Sequence, residues 1–194
     1  MDAEQPILTT ERLLLRPFDP RDARAVQQLA GERSIADTTL AIPHPYPDGA
    51  AEQWIATHAP GYAEGSQASF AIQQRADGAL VGAIGLVISR EHSRAELGYW
   101  IGVPYWRRGF ATEAGRSIVR FGFEELGLHR VQARHLERNP ASGSVLRKLG
   151  MQLEGIHRHA VRKWGVFEDV ALYSVLITDW RQEATAARPG ARGS

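Results

Sequence analysis

Two spacings of apolar residues alternate along this chain, and each marks a kind of element. The run "ERLLLRPFDP" (11–20) is short and apolar and is closed by Pro17 and Asp19-Pro20, which predicts a strand. In "RDARAVQQLAGE" (21–32) the step lengthens to helical spacing through Ala25, Val26 and Leu29. Three prolines separated by single residues in "TTLAIPHPYPDG" make residues 33–49 a stiff loop without helix. A short helix follows in "GAAEQWIATHA" (49–59). The segments "SQASFAIQQ" and "ALVGAIGLVI" predict a hairpin around Ala76-Asp77-Gly78, and "RAELGYWIGV" (94–103) a further strand.

From Ala111 the apolar positions fall at Ala111, Ala114, Ile118 and Phe121, one face of a helix that ends near Gly127. "RVQARHL" (130–136) reads as a strand. "NPASGSVLRKLG" carries a full set of helix signals. Asn139 is an N-cap, Pro140 fits the first turn, Arg147 and Lys148 suit the negative end, and Gly150 stops it. Residues 151–177 make two strands turning at Trp164-Gly165. After Trp180 no apolar face remains, so residues 1–180 are expected as one domain and 181–194 as a disordered tail. The order of elements defines the α+β class, a mixed sheet with helices on it.

Composition narrows the function. A chain of 194 residues with 43% hydrophobic and 23% charged residues suits one soluble core. The formal net charge of +1 supplies no field for holding nucleic acid. With no cysteine there is no disulfide, no thiolate metal site and no cysteine nucleophile. The longest apolar run, 79–88, is half the ~20 residues of a membrane helix, and "MDAEQPILTT" lacks the pattern of a signal peptide, so a cytoplasmic protein is expected.

The stretch "PYWRRGFATEA" (104–114) carries the clearest chemistry. A turn that feeds a helix N-terminus presents unpaired backbone N–H groups and the positive end of the helix dipole, a setting for anions. Gly109 admits close approach, Ala111 and Thr112 are slim, and Arg107 and Arg108 can pair with phosphate oxygens. The bland alternative is a tight turn with solvated arginines. No G-x-x-x-x-G-K-[ST] is present, and the glycines at 78, 82 and 85 lie within a hairpin, which excludes the NTPase loop and the dinucleotide fingerprint.

"AELGYWIGVPYWRRGFATEA" resembles the central motif of the GNAT acetyltransferase superfamily, especially its ribosomal-protein N-terminal acetyltransferase (RimJ/RimL-like) branch. Arg107, Arg108, Gly109, Phe110 and Ala111 fit its [QR]-x-x-G-x-[GA] loop, with Trp106 in place of Gln or Arg. "NPASGSVLRKLG" followed by Met151 resembles the family's N-x-x-S-x-x-x-L-x-K-x-G-F, and the opening strand and closing hairpin are similar as well. The resemblance spans roughly residues 7–180. It implies a sheet of about seven strands, mostly antiparallel, with helices on both faces and a splayed central pair. It also implies acetyl-coenzyme A as co-substrate, held by residues 107–112 and Asn139, no metal, and a homodimer as one option.

For the chemistry, the resemblance places oxyanion-binding amides near Ile101, Gly102 and Val103. It makes Glu96 the leading base and Ser142 the donor of a proton to the departing thiolate. Against these stand an arginine-paired strand carboxylate and a locally bonded serine. Asn139 can cap its helix and still offer its NH₂. His135 shares a strand face with Val131 and Ala133 and is either a second base or a structural histidine. His157 and His159 share a face but lack a carboxylate at metal-binding spacing. His44, Tyr46 and Trp54 are candidate acceptor contacts. The reading is transfer of acetyl to a primary amine, a protein N-terminus such as that of a ribosomal protein. A small-molecule amine acceptor and a non-catalytic acyl-coenzyme A sensor remain open.

Overall fold

The computed structural model describes residues 4–186. They are organised on one mixed sheet of eight strands in the order β1-β2-β3-β4-β5-β6-β8-β7. β1 (Leu8–Thr9), β2 (Leu13–Arg16), β3 (Gln67–Gln74), β4 (Leu80–Ser89) and β5 (Arg94–Ile101) pair antiparallel in succession. The chain then crosses through α5 (Phe110–Glu124), so that β6 (Arg130–Leu136) lies parallel to β5. β8 (Val166–Leu176) pairs antiparallel with β6 and with β7 (Gln152–Lys163), which forms the edge.

Alternation along the strands sends side chains to two cores. On β3, Phe70 and Ile72 pack with Ile118 and Phe121 of α5, whereas Ala71 faces α1 (Ala23–Ala30) and α3 (Ala50–Ala56) through Val26, Ala51 and Ile55. Helices therefore cover both faces. The N-terminus of α5 is fastened to the start of β2 by Glu113, which accepts from Thr10 Oγ1 at 2.6 Å, Arg12 N at 2.8 Å and Arg12 Nε at 2.7 Å. Burial works to raise the Glu113 carboxyl, but the hydrogen bonds from Thr10 and Arg12 and the Arg12 charge outweigh it and hold it below its ordinary range.

Three sequence expectations need correction. Residues 33–49 are not all loop, because α2 (Arg33–Thr38) winds before the first of the clustered prolines and buries Ile35 and Ala36. The single helix expected at 49–59 is two in series, α3 and α4 (His58–Glu64), since Thr57 keeps helical dihedrals and Pro60 lies in the first turn of α4, where proline is tolerated. The tail expected from residue 181 begins as helix, because α7 (Ile177–Ala186) continues past Trp180, whose ring packs on Phe123 at 5.5 Å. Residues 187–194 lie outside the described residues. β1, two residues long, brings the strands from about seven to eight. Among the described residues no helix is long and apolar enough to cross a membrane.

One interruption in the sheet positions the site. β5 and β6 pair only from Arg94 to Leu97 and from Arg130 to Ala133. Beyond these, Gly98–Ile101 pair with β4 alone and Arg134–Leu136 with β8 alone, so the parallel strands part at their C-terminal ends. α6 (Pro140–Lys148) begins just past the open end of β6.

Candidate active site

The parting of β5 from β6 leaves backbone groups facing a gap. Gly102 N donates to Val81 O at 2.8 Å, and an antiparallel ladder alternates, so the even residues of β5 point to β4 and Tyr99 and Ile101 point into the gap. Of the set Ile101, Gly102 and Val103 expected for an oxyanion, the Gly102 amide is already bonded to β4, whereas the amides of Tyr99 and Ile101 face the gap. Val103 opens a single 3₁₀ turn, Val103–Tyr105. Trp106, which replaces the family's Gln or Arg, donates from Nε1 to Ile101 O at 2.5 Å and pins this turn to the end of β5.

At one end of the gap lies the N-terminus of α5. Arg107 has φ 61° and its cap Gly109 φ 80°, so two left-handed residues fold the chain tightly into the helix. No side chain caps it, which leaves the first-turn amides around Phe110, Ala111 and Thr112 directed outward. Arg12, immediately before β2, shapes this turn. Its Nη1 donates to Arg108 O at 2.9 Å, its guanidinium lies 4.9 Å from the Phe110 ring centre, and it pairs with Glu113 at 2.6 Å. Nothing near 104–114 in sequence signals Arg12, which is about a hundred residues away. Arg108 lies over the Tyr105 ring.

At the other end lies α6. Asn139 caps it, its side chain accepting from Ser142 N at 3.3 Å, while its Nδ2 donates to Thr38 O at 3.4 Å. Ser142 Oγ is 2.8 Å from Tyr99 Oη. The serine therefore reaches across the gap to β5 instead of bonding locally. Burial pushes the Tyr99 phenol up, with the Ser142 hydrogen bond acting the other way, so the phenol stays protonated. As donor to Ser142 Oγ it leaves the serine proton free to point elsewhere. Sequence reasoning missed Tyr99, because alternation with Leu97 and Ile101 marks it only as a core residue. Replacing Tyr99 with Phe is expected to lower kcat about tenfold, the effect of one hydrogen bond of ~1.4 kcal/mol, with little change in acetyl-coenzyme A affinity. Ser142→Ala should lower kcat further and leave nothing for Tyr99→Phe to remove in the double variant. Additive losses in that cycle, measured under saturating substrate, would mean the two hydroxyls act separately.

On the opposite face of the same strands lies a groove of about 240 Å³ lined by Glu96, Gln132, Arg134, His157, Val161 and Leu172 among others. Glu96 stands beside Leu97, the last ladder residue before the strands part. Its Oε1 accepts from Arg134 Nε at 2.7 Å, and Oε2 has no partner among the described residues. The groove's other carboxylate, Glu154, is held down to about 2, chiefly by the Arg130 hydrogen bonds against the opposing effect of burial, with Ser174 adding another.

The candidate acceptor contacts His44, Tyr46 and Trp54 lie around α1 and α3. Tyr46 and Trp54 are half-buried and pack against the core of α1 and α3, Trp54 edge-on to His58 at 4.4 Å, and exposed His44 places Nδ1 3.1 Å from Gly31 O. None of the three lines the groove beside Glu96. His135 is buried on the far face, donating from Nδ1 to Leu136 O at 2.7 Å and stacked on Tyr173, with Nε2 against Gly143. It lies on the strand face of Tyr99 and Ser142, and its buried Nε2 has no partner among the described residues. A register shift between His157 and Val161 interrupts the alternation expected for His157 and His159, and His159 stacks on Phe167. Among the described residues no group of three His, Cys, Asp or Glu is placed to hold a metal ion.

A parallel strand pair opened at its ends, with an uncapped helix N-terminus and a hydroxyl pair at its margins, matches the splayed pair and helix-start loop that the resemblance implies. The chain belongs to the GNAT family, residues 12–152 matching the model of the acetyltransferase (GNAT) domain. It is 34% identical over 181 residues to the uncharacterized N-acetyltransferase YoaA of Bacillus subtilis, covering 88% of this chain and 97% of that one. It is 26% identical over 182 residues to the [ribosomal protein uS5]-alanine N-acetyltransferase of Escherichia coli, covering 89% of this chain and 92% of the relative. RimL, a ribosomal L7/L12 alpha-N-protein acetyltransferase solved with coenzyme A, superposes with a TM-score of 0.83 over 90% of this chain and 99% of its own, at 18% identity, a likeness of fold. The protein is a GNAT-type N-acetyltransferase.

Proposed function

We propose that the enzyme transfers acetyl from acetyl-coenzyme A to a protein N-terminal α-amine by direct attack within a ternary complex. The carrying observation is the groove beside Glu96: its lining runs from β5 to the edge strand β7, and both Glu96 and Glu154 are already engaged by guanidinium groups. Such a groove holds little unpaired negative charge for a polyamine but admits an extended chain with one amine. The similarity to the uS5-alanine N-acetyltransferase supports the same acceptor class.

The turn fits the cofactor. The outward amides of residues 110–112, with Arg107 and Arg108 beside them, suit its pyrophosphate, and acetyl-coenzyme A when bound supplies an activated thioester. The amides of Tyr99 and Ile101 face the place where negative charge develops on the carbonyl oxygen. Ser142 gives its proton toward the leaving sulfur, oriented by Tyr99. Glu96 receives the amine's proton through its unpaired oxygen, directly or by a water. No cysteine exists to form a thioester-linked acyl-enzyme.

The acceptor chemistry favours an α-amine on energetic grounds. At pH 7.4 deprotonation costs under about 1 kcal/mol for an α-amine of pKa ~7.9 but about 4 kcal/mol for a lysine amine of pKa ~10.4. A panel of free-N-terminal peptides, N-blocked lysine peptides and spermidine, read by thiol release, tests the assignment. Turnover of peptide N-termini above the others is expected; turnover of spermidine or lysine alone would transfer the function to small-molecule or side-chain acetylation.

A further inference from the structure

Three consecutive carbonyls at the C-terminal end of α2 are each bonded by a different side chain from the other half of the protein. Asp37 O accepts from Arg138 Nη2 at 2.8 Å, Thr38 O from Asn139 Nδ2 at 3.4 Å and Thr39 O from Lys163 Nζ at 2.6 Å. Terminal helix carbonyls lack intrahelical partners, and cations are favoured there, so the donors satisfy groups that would otherwise need water. Arg138 does more than this. It also reaches the Asp37 carboxylate, with Nη1 to Oδ2 and Nη2 to Oδ1 at 3.1 Å each, and its Nε donates to Glu168 Oε1 at 2.8 Å. At the hairpin tip Arg33 lies over the Trp164 ring, 5.4 Å from its centre.

These contacts fall beside the acetyl-transfer site. Glu168 pairs with Val161, which lines the groove with Glu96, and alternation carries Lys163 to the same face. Arg138 directly precedes Asn139, whose side chain both caps the helix of Ser142 and donates to Thr38. The end of α2 thus forms a strap that joins the groove face to the loop leading into α6.

We propose that Arg138 is a positioning residue for the acceptor: its fork fastens the end of α2 to β8, holding one wall of the groove in register with the loop that carries Asn139 and Ser142. This rests on the reading of the groove as the acceptor site. A purely structural strap would affect melting and leave kinetics alone, whereas a positioning strap changes the acceptor constant selectively.

The test compares wild type, Arg138→Gln and Arg138→Lys in steady-state assays with acetyl-coenzyme A and tetra-alanine amide, together with amide hydrogen exchange over residues 35–42. In Arg138→Gln the KM for the peptide is expected to rise about tenfold, as for the loss of ~1.4 kcal/mol of binding, with the KM for acetyl-coenzyme A within about twofold and faster exchange in the strap. Arg138→Lys, which keeps charge but loses the fork, should lie between. Unchanged exchange overturns the proposal, as does faster exchange with both KM values unaltered. If wild type ignores the peptide and acetylates spermidine, the α-amine reading falls, while the same KM comparison with spermidine still decides the role of Arg138.

Discussion

Gly109→Asp is expected to abolish the stabilisation of this enzyme by acetyl-coenzyme A. At a ligand concentration of 100 times the dissociation constant, wild type should gain ~2.7 kcal/mol. At ~2–4 °C per kcal/mol for a domain of this size, that is a rise in Tm of about 5–11 °C. Gly109 has φ 80° and caps α5 without a side chain, so its replacement by aspartate puts a carboxylate among the amides that suit pyrophosphate. A Cβ there would lie 3.4 Å from an Arg12 nitrogen, so the new carboxylate would also compete with Glu113 for that guanidinium. A hundredfold loss of affinity leaves only ~0.4 kcal/mol of stabilisation at the same concentration. Gly109→Ala separates the two causes, adding backbone strain without charge, and should retain part of the shift. Equal thermal shifts in wild type and Gly109→Asp would place the pyrophosphate somewhere other than this turn.

The second large effect is kinetic. Glu96→Gln keeps the shape of the side chain and its capacity to accept from Arg134, and removes its ability to take a proton. The rate at pH 7 should fall by ~10²–10⁴, the range for loss of a positioned general base. Raising the pH toward 9 should recover much of this with an α-amine acceptor, which then arrives neutral. Recovery should be smaller for a lysine amine, whose pKa is ~1.4 units above that pH. The ion pair with Arg134 bears on the interpretation. It occupies one carboxylate oxygen and holds the side chain beside the point where β5 and β6 part, while the second oxygen has no partner among the described residues. Wild-type rates in Glu96→Gln at every pH would reduce Glu96 to the arginine-paired strand carboxylate that its sequence also allows.

Local sequence determined most of the elements and the turn that opens α5. Apolar alternation placed β3 to β8, helical spacing placed α1 and α5, and the Asn139–Pro140 start and Gly150 stop bounded α6, because these signals act over a few neighbouring bonds. The tight turn before α5 was legible for the same reason, since glycine, small residues and a helix start are adjacent in the chain. The proline cluster misled for the residues ahead of it: Ile35 and Ala36 become helical because they bury against the sheet, a gain that local propensity does not contain. Tertiary structure alone decided which groups meet. It set Tyr99 against Ser142, Arg12 against the turn before α5, Arg138 against α2 and Arg134 against Glu96. It also packed half-buried Tyr46 and Trp54 against a core and built the groove beside Glu96 from strands β5 to β8. Those contacts join residues far apart in the chain, whose meeting depends on strand order and on where one parallel pair opens, properties of the assembled sheet that no short stretch of sequence encodes.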